Sequence, residues 1–247
     1  MDTDPPQPRE NIVHRAEQAA EHAEQHLPSW LRPGDPESRW PVLLALVAAI
    51  VFQRLIPEPY TVVPRWPLIS LEIALVVVLL ALNPVRFTRS TVIGKYASWV
   101  LLAAIAVDNT LSAINLDRKI LSGPDLSNNA GALLGSGAAI FVTNIIVFGI
   151  WYWELDRGGP FARRAGENPY PDFMFPQMSG VPSQVARPDW RPTFIDYLYV
   201  SITNVMAFSP TDTMPMSPRA KLLMTVQAGV AVSTLVLVVA RAVNVLK

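Results

Sequence analysis

The chain contains no cysteine, so disulfides, thiolate nucleophiles and thiolate-bound metals are excluded. Histidine is scarce: His14, His22 and His26 all lie in the first 40 residues. The 22/26 pair has the i, i+4 spacing of a metal pair, but no second ligand motif accompanies it and a solvated helix reproduces that spacing often, so no metal is expected. Formal net charge is zero, which leaves no electrostatic footprint for a nucleic-acid partner. A glycine-rich phosphate loop is missing, and the polar first 40 residues lack the apolar core of a secretory signal, so insertion is expected to start from the first membrane helix. Glu154 and Asp156 beside Arg157 read as interfacial charge rather than as acid and base. With no catalytic constellation and no cofactor motif, an enzyme is not expected.

Long apolar runs are abundant. Five of them, at residues 41–57, 67–83, 96–116, 131–153 and 222–245, lack the polar face that buried helices of soluble proteins carry. About 20 helical residues cross a hydrocarbon core about 30 Å thick, so the two longest span easily and the first two are near the lower limit. A sixth run, 194–208, is shorter still. The expected fold is an all-α integral membrane helical bundle of five transmembrane helices plus one short re-entrant or sixth transmembrane helix, with the lipid bilayer as its principal partner.

Four regions follow. Residues 1–40 form a polar tail, in which 8–31 reads as a weakly amphipathic interfacial helix stopped near Pro28, flanked by Trp30 and Trp40. Residues 41–153 hold four apolar spans. Residues 154–192 are interrupted by prolines and glycines too often to propagate a helix or a central strand, so they read as an extended loop at the interface. Residues 193–247 form a helix, a polar hairpin and a long helix. Gly131 and Gly135, one turn apart at the start of the fourth span, read as a close-packing face.

Polar side chains within apolar runs are costly in lipid and by default face a cavity or a partner. The candidates are Glu72, Asp108, Asn109, Asn144, Gln227 and Arg241, with Asn115 one heptad after Asp108. Two readings stand side by side: hydrogen bonds to neighbouring helices, or a permeation or proton-relay path.

The segment DYLYVSITNVMAFSPTDTMP resembles the pore module of two-helix tetrameric cation channels, whose pattern is D-x-L-Y-F-S-x-T-T-x-T-T-V-G-Y-G-D-x-x-P. Asp196, Leu198, Tyr199, Ser201, Thr203, Asp212 and Pro215 coincide with it without a gap, and Lys221 falls where those channels carry an arginine. The same stretch resembles more closely an uncharacterised family of bacterial integral membrane proteins, a domain of unknown function, through Met206, Phe208 and Thr213. The channel resemblance implies a pore lined by a hairpin and a homo-oligomer, tetrameric if pore-like. Where the channels place T-V-G-Y-G, this chain has Ala207, Phe208, Ser209, Pro210 and Thr211. Both glycines that permit positive φ are lost, which rules against a carbonyl filter of the potassium type. What remains is a wider mouth lined by Ser209, Thr211, Asp212 and Thr213, or else a hairpin that only packs, as in a non-conducting scaffold or partner subunit.

If 194–208 crosses, lysines and arginines divide 14 to 6 in favour of the side bearing the N-terminus, the proline-rich loop and the C-terminus. That predicts a plasma-membrane protein with its N-terminus in the cytoplasm. If the segment re-enters, the termini fall on opposite sides, and a channel-like orientation leaves only six cations inside.

Overall fold

The computed structural model describes residues 27–34, 37–38, 40–57, 92–122, 130–207 and 212–245, with isolated positions between 70 and 77. Seven α-helices occur among these residues: α1 (Trp40–Leu55), α2 (Val92–Leu121), α3 (Ala130–Leu155), α4 (Pro160–Ala165), α5 (Gly180–Val185), α6 (Phe194–Met206) and α7 (Pro218–Val245). A two-residue antiparallel ladder pairs β1 (Phe173–Met174) with β2 (Met214–Pro215). Among the described residues three stretches are long and apolar enough to cross a membrane, Tyr96–Leu121 in α2, Gly131–Ala165 running from α3 into α4, and Pro218–Asn244 in α7, and α1 is a shorter apolar helix. The tail helix expected over 8–31, its histidines, and the second span at 67–83 with Glu72 lie outside the described residues, isolated positions apart. Residues 28–31, at the foot of that tail, form a turn closed by Leu31 N–H donating to Pro28 O at 2.9 Å.

Uninterrupted apolar sequence makes α3 the axis, and it touches α1, α2, α6 and α7. In its most apolar window 61% of the span containing α3 is buried, against 28% for α7, so α7 lies at the periphery. Two glycines set the spacing. A Cβ at Gly137 would fall 2.8 Å from Val238 of α7, and one at Gly149 would fall 3.2 Å from the Cα of Leu198 in α6. Gly135, expected to be part of the packing face, has no heavy atom within 4 Å of its Cβ position, and Gly131 is exposed. The close approaches are made elsewhere on α3 because a one-turn spacing of small residues does not say which side of the helix meets a neighbour.

Helix direction follows from the contacts. Phe194 meets Trp153, Leu198 meets Gly149 and Ser201 meets Ile145, so α6 runs antiparallel to α3. Gln227 meets Tyr152 and Val238 meets Gly137, so α7 is antiparallel to α3 too. Both α6 and α7 therefore start at the end of the bundle where α3 finishes. Glu37 also reaches Trp153 there, Trp99 of α2 packs on Trp151, and Ile56, just past the end of α1, clusters with Leu116 and Leu133 at the opposite end.

The region expected to be an extended loop is a folded cap. Prolines begin its short elements rather than forbidding them: Pro160 opens α4 and Pro176 opens a 3-10 turn, positions where the missing N–H costs nothing. Phe173 and Phe175 are buried beneath it against Tyr152 and Tyr197, with centroids 5.0 and 5.2 Å apart. Pro218 likewise opens α7, one turn before the apolar run suggested.

Substituting Gly149→Ala forces Leu198 outward and is expected to lower unfolding free energy by about 1–3 kcal/mol. Gly135→Ala meets open space and is expected to be neutral or to stabilise by up to about 1 kcal/mol through helix propensity. Thermal unfolding of the two purified variants in detergent separates them.

Candidate functional site

The chain leaves α3 through three consecutive residues with positive φ, Arg157 (54°), Gly158 (85°) and Gly159 (100°). For arginine this conformation costs on the order of 1–2 kcal/mol, which the surroundings must offset. They do so with hydrogen bonds: Arg157 N–H donates to Asp172 Oδ2 at 2.9 Å, its Nε to Asn168 O and its Nη1 to Trp30 O, each at 2.6 Å. Asp156, Arg157 and Asp172 are buried, so the charges read as interfacial are interior. Chain reversal carries them inward, which no local pattern of charge reveals.

Asp156 gathers the cap. Its Oδ1 accepts from the backbone N–H of Asp172 at 2.7 Å and of Phe173 at 3.2 Å, and its Oδ2 accepts from the Tyr197 hydroxyl at 2.6 Å. Tyr197 belongs to the first turn of α6. Asp172 in turn receives Arg219, in the first turn of α7, as a two-pronged ion pair at 2.9 and 3.0 Å, and its carbonyl accepts from Met216 N–H at 2.8 Å. The helix that enters the bundle and the helix that follows the hairpin are thus fastened to adjacent carboxylates.

Deeper, one amide joins three helices. Gln227 Oε1 accepts from Tyr152 Oη at 2.5 Å and from Asn204 Nδ2 at 2.8 Å. Its Nε2 donates to Ser201 Oγ at 2.6 Å and to Ser201 O at 3.2 Å, while Ser201 Oγ donates to Ile145 O at 2.7 Å. All four bonding positions of the amide are filled, leaving none for a ligand.

The remaining sequence candidates divide differently. Asp108 accepts from Gln53 Nε2 at 3.1 Å, joining α1 to α2. Asn109 and Asn144 are buried at 2% and 1% exposure. Asn109 Oδ1 and both amide atoms of Asn144 lack a hydrogen bond, as do the hydroxyls of Ser112, Thr143 and Thr234. Buried polar atoms left unpaired cost about 1–3 kcal/mol each and call for water, an ion or a function to explain them. Ser209 and Thr211 lie outside the described residues; Asp212 is exposed and Thr213 is buried.

Local structure accounts for several residues that coincide with the channel pattern. Asp196 is the third residue of α6 and accepts from the N–H and hydroxyl of Thr193 at 2.7 and 2.8 Å, a capping box. Leu198 fills the notch over Gly149, and Thr203 Oγ1 donates to Tyr199 O within its own helix. The threonine three residues ahead of Asp196 was a legible signal; Asp156, Asp172 and Arg219, which converge from distant positions, carried none. Comparison with protein-family models, with curated proteins and with solved structures finds no match to this chain.

Two amide-to-leucine substitutions should diverge. Gln227→Leu strands the partner atoms of Tyr152, Asn204 and Ser201 and is expected to destabilise by about 2–5 kcal/mol. Asn144→Leu removes an amide that bonds to nothing and is expected to leave stability unchanged or raise it by about 1 kcal/mol. Denaturation midpoints of the two variants in detergent check the contrast.

Proposed function

We propose that the chain is a five-span membrane protein whose residues 194–217 form a re-entrant, pore-like hairpin, and that copies assembled around this hairpin act as a channel-like or transport protein. The observation carrying this reading is that α6 and α7 start at the same end of α3, fixed there by Tyr197 on Asp156 and Arg219 on Asp172. A helix of 13 residues, about 20 Å at 1.5 Å per residue, followed by a return to its own starting level, has the shape of a re-entrant element, tolerated at membrane depth where it lines water or is buried in protein. α1 ends away from the cap and Trp99, near the start of α2, lies on the cap side, which supports counting the apolar run at 67–83 as a span.

In this topology the side away from the cap bears Arg54, Arg65, Arg118, Lys119, Arg241 and Lys247, and the cap side bears the other fourteen cations. The positive-inside rule then puts the cap, the hairpin mouth and the N-terminal segment in the cytoplasm of a plasma-membrane protein. The hairpin opens inward, opposite to the channel-like orientation. Gly149 seats α6 directly on α3, so any water-filled path runs along the outer side of the hairpin, between copies, with Asp212 at its mouth; four copies would suit the channel resemblance.

A second reading is a non-conducting scaffold or partner subunit. It is favoured by the outward row of α6, Ile195, Tyr199, Ile202 and Met206, which is exposed and mostly apolar, and by the inward commitment of Ser201 and Asn204 to hydrogen bonds within one chain.

Single cysteines placed in the Cys-free chain at Ile195, Ser217 and Asn244 test the topology. A membrane-impermeant maleimide should label the first two from one side and the third from the other; labelling of 195 and 217 from opposite sides would overturn re-entry. In reconstituted bilayers the pore reading expects conductance that Asp212→Asn reduces, and silence at high protein load leaves the scaffold.

A further inference from the structure

A cleft opens beside the end of α3, between the N-terminal segment and the cap. Its walls carry five arginines, Arg32, Arg157, Arg163, Arg164 and Arg191, and one carboxylate, Glu37. Glu37 is already shared, accepting from Trp153 Nε1 at 2.6 Å and lying 3.7 and 3.4 Å from Arg163 and Arg164. Two of the arginines are almost wholly inside the protein, Arg157 at 0% and Arg163 at 5% exposure. Each is anchored through its other nitrogens, Arg157 to Asn168 and Trp30 carbonyls and Arg163 through Nη1 to the carbonyls of Trp153 and Asp156. In both, Nη2 is buried and makes no hydrogen bond; that of Arg163 is the nitrogen 3.7 Å from the Glu37 carboxylate, which holds it in a long ion pair, while that of Arg157 has no carboxylate so placed among the described residues.

Leaving charged donors unbonded in a protein interior costs more than leaving neutral ones, and the cost is recovered when an anion with several acceptor oxygens arrives. Guanidinium groups held by their far side keep their remaining N–H donors fixed in direction, so that an anion admitted by movement of the rim side chains meets them without their turning. Trp30 stacks on Arg157, with the guanidinium carbon 5.4 Å from the ring centroid, and keeps it from turning away. We propose that this cleft binds a phosphate group, with Nη2 of Arg157 and of Arg163 as the buried donors and Arg164 and Arg191 closing over it from the rim. The group belongs either to an anionic phospholipid, since the cleft lies where the apolar part of α3 ends and headgroups would begin, or to free phosphate or a phosphorylated solute on the cap side. The proposal requires neither conduction nor assembly of copies.

The test uses the full chain, delipidated in neutral detergent. Inorganic phosphate is titrated against chloride at constant ionic strength and followed by tryptophan fluorescence and thermal shift; in parallel, retention of phosphatidylglycerol against phosphatidylcholine is measured by native mass spectrometry. Two variants outside the buried anchors report on the cleft. Glu37→Gln can still accept from Trp153 and removes the competing carboxylate, so binding should tighten by about tenfold, while Arg191→Gln should weaken it by about tenfold. Phosphate binding that follows both variants supports the proposal with a free anion as source. Phosphatidylglycerol retention that follows both variants, without a response to phosphate, supports it with lipid as source. No binding of either probe to the parent chain or to Glu37→Gln, or binding indifferent to both variants, overturns it.

Discussion

The Asp156 carboxylate is the contact on which the rest of the arrangement depends. A buried carboxylate is tolerable only when hydrogen bonds and opposite charge replace its hydration, and Asp156 obtains them from two backbone N–H groups of the cap and from a tyrosine of α6. Meeting that requirement forces the strand of the cap, the entry of α6 and the end of α3 to meet at one point. The neighbouring Asp172 repeats the constraint for α7 through Arg219. Geometry that looks like a property of the hairpin is therefore imposed at its two feet.

Below the feet a second layer acts by saturation. Gln227 has no spare donor or acceptor, so it fixes the rotation of α6 and α7 relative to α3 without offering anything to a passing solute. Asn109 and Asn144 are the converse, polar atoms enclosed at no evident structural benefit. Structural and functional candidates among intramembrane polar residues are thus distinguished by whether their bonding capacity is used, a property of partners rather than of position in the chain.

Much of the helical architecture was legible because lipid-compatible helices must be apolar along their whole length: α1, α3 and α6 begin and end within two residues of the runs that announced them. Three boundaries were less so. Pro218 reads as part of a loop when it in fact opens α7, and α2 starts at Val92 and ends at Leu121, beyond both ends of the apolar run at 96–116. Residues 154–192 depart from the extended loop that their composition suggests for a related reason: proline and glycine forbid long regular elements, but short ones starting at proline, packed on buried phenylalanines, escape that ban. Charges at Asp156 and Arg157 read as interfacial in sequence, whereas their burial arises from tertiary reversal. Gly137 and Gly149, not Gly135, make the close approaches, since the identity of a small residue says nothing about what stands opposite it.

The order of contacts along α6 bears on how the chain assembles as it is made. Phe194, Tyr197, Leu198 and Ser201 all dock on residues already synthesised, from Ile145 to Asp156, whereas Asn204 waits for Met224 and Gln227 and Ser201 gains Gln227 as a second partner. Domains generally acquire structure from the N-terminal side during synthesis. The short helix can therefore settle against its neighbour before the last span emerges, and that span then closes over an element already seated rather than carrying it in.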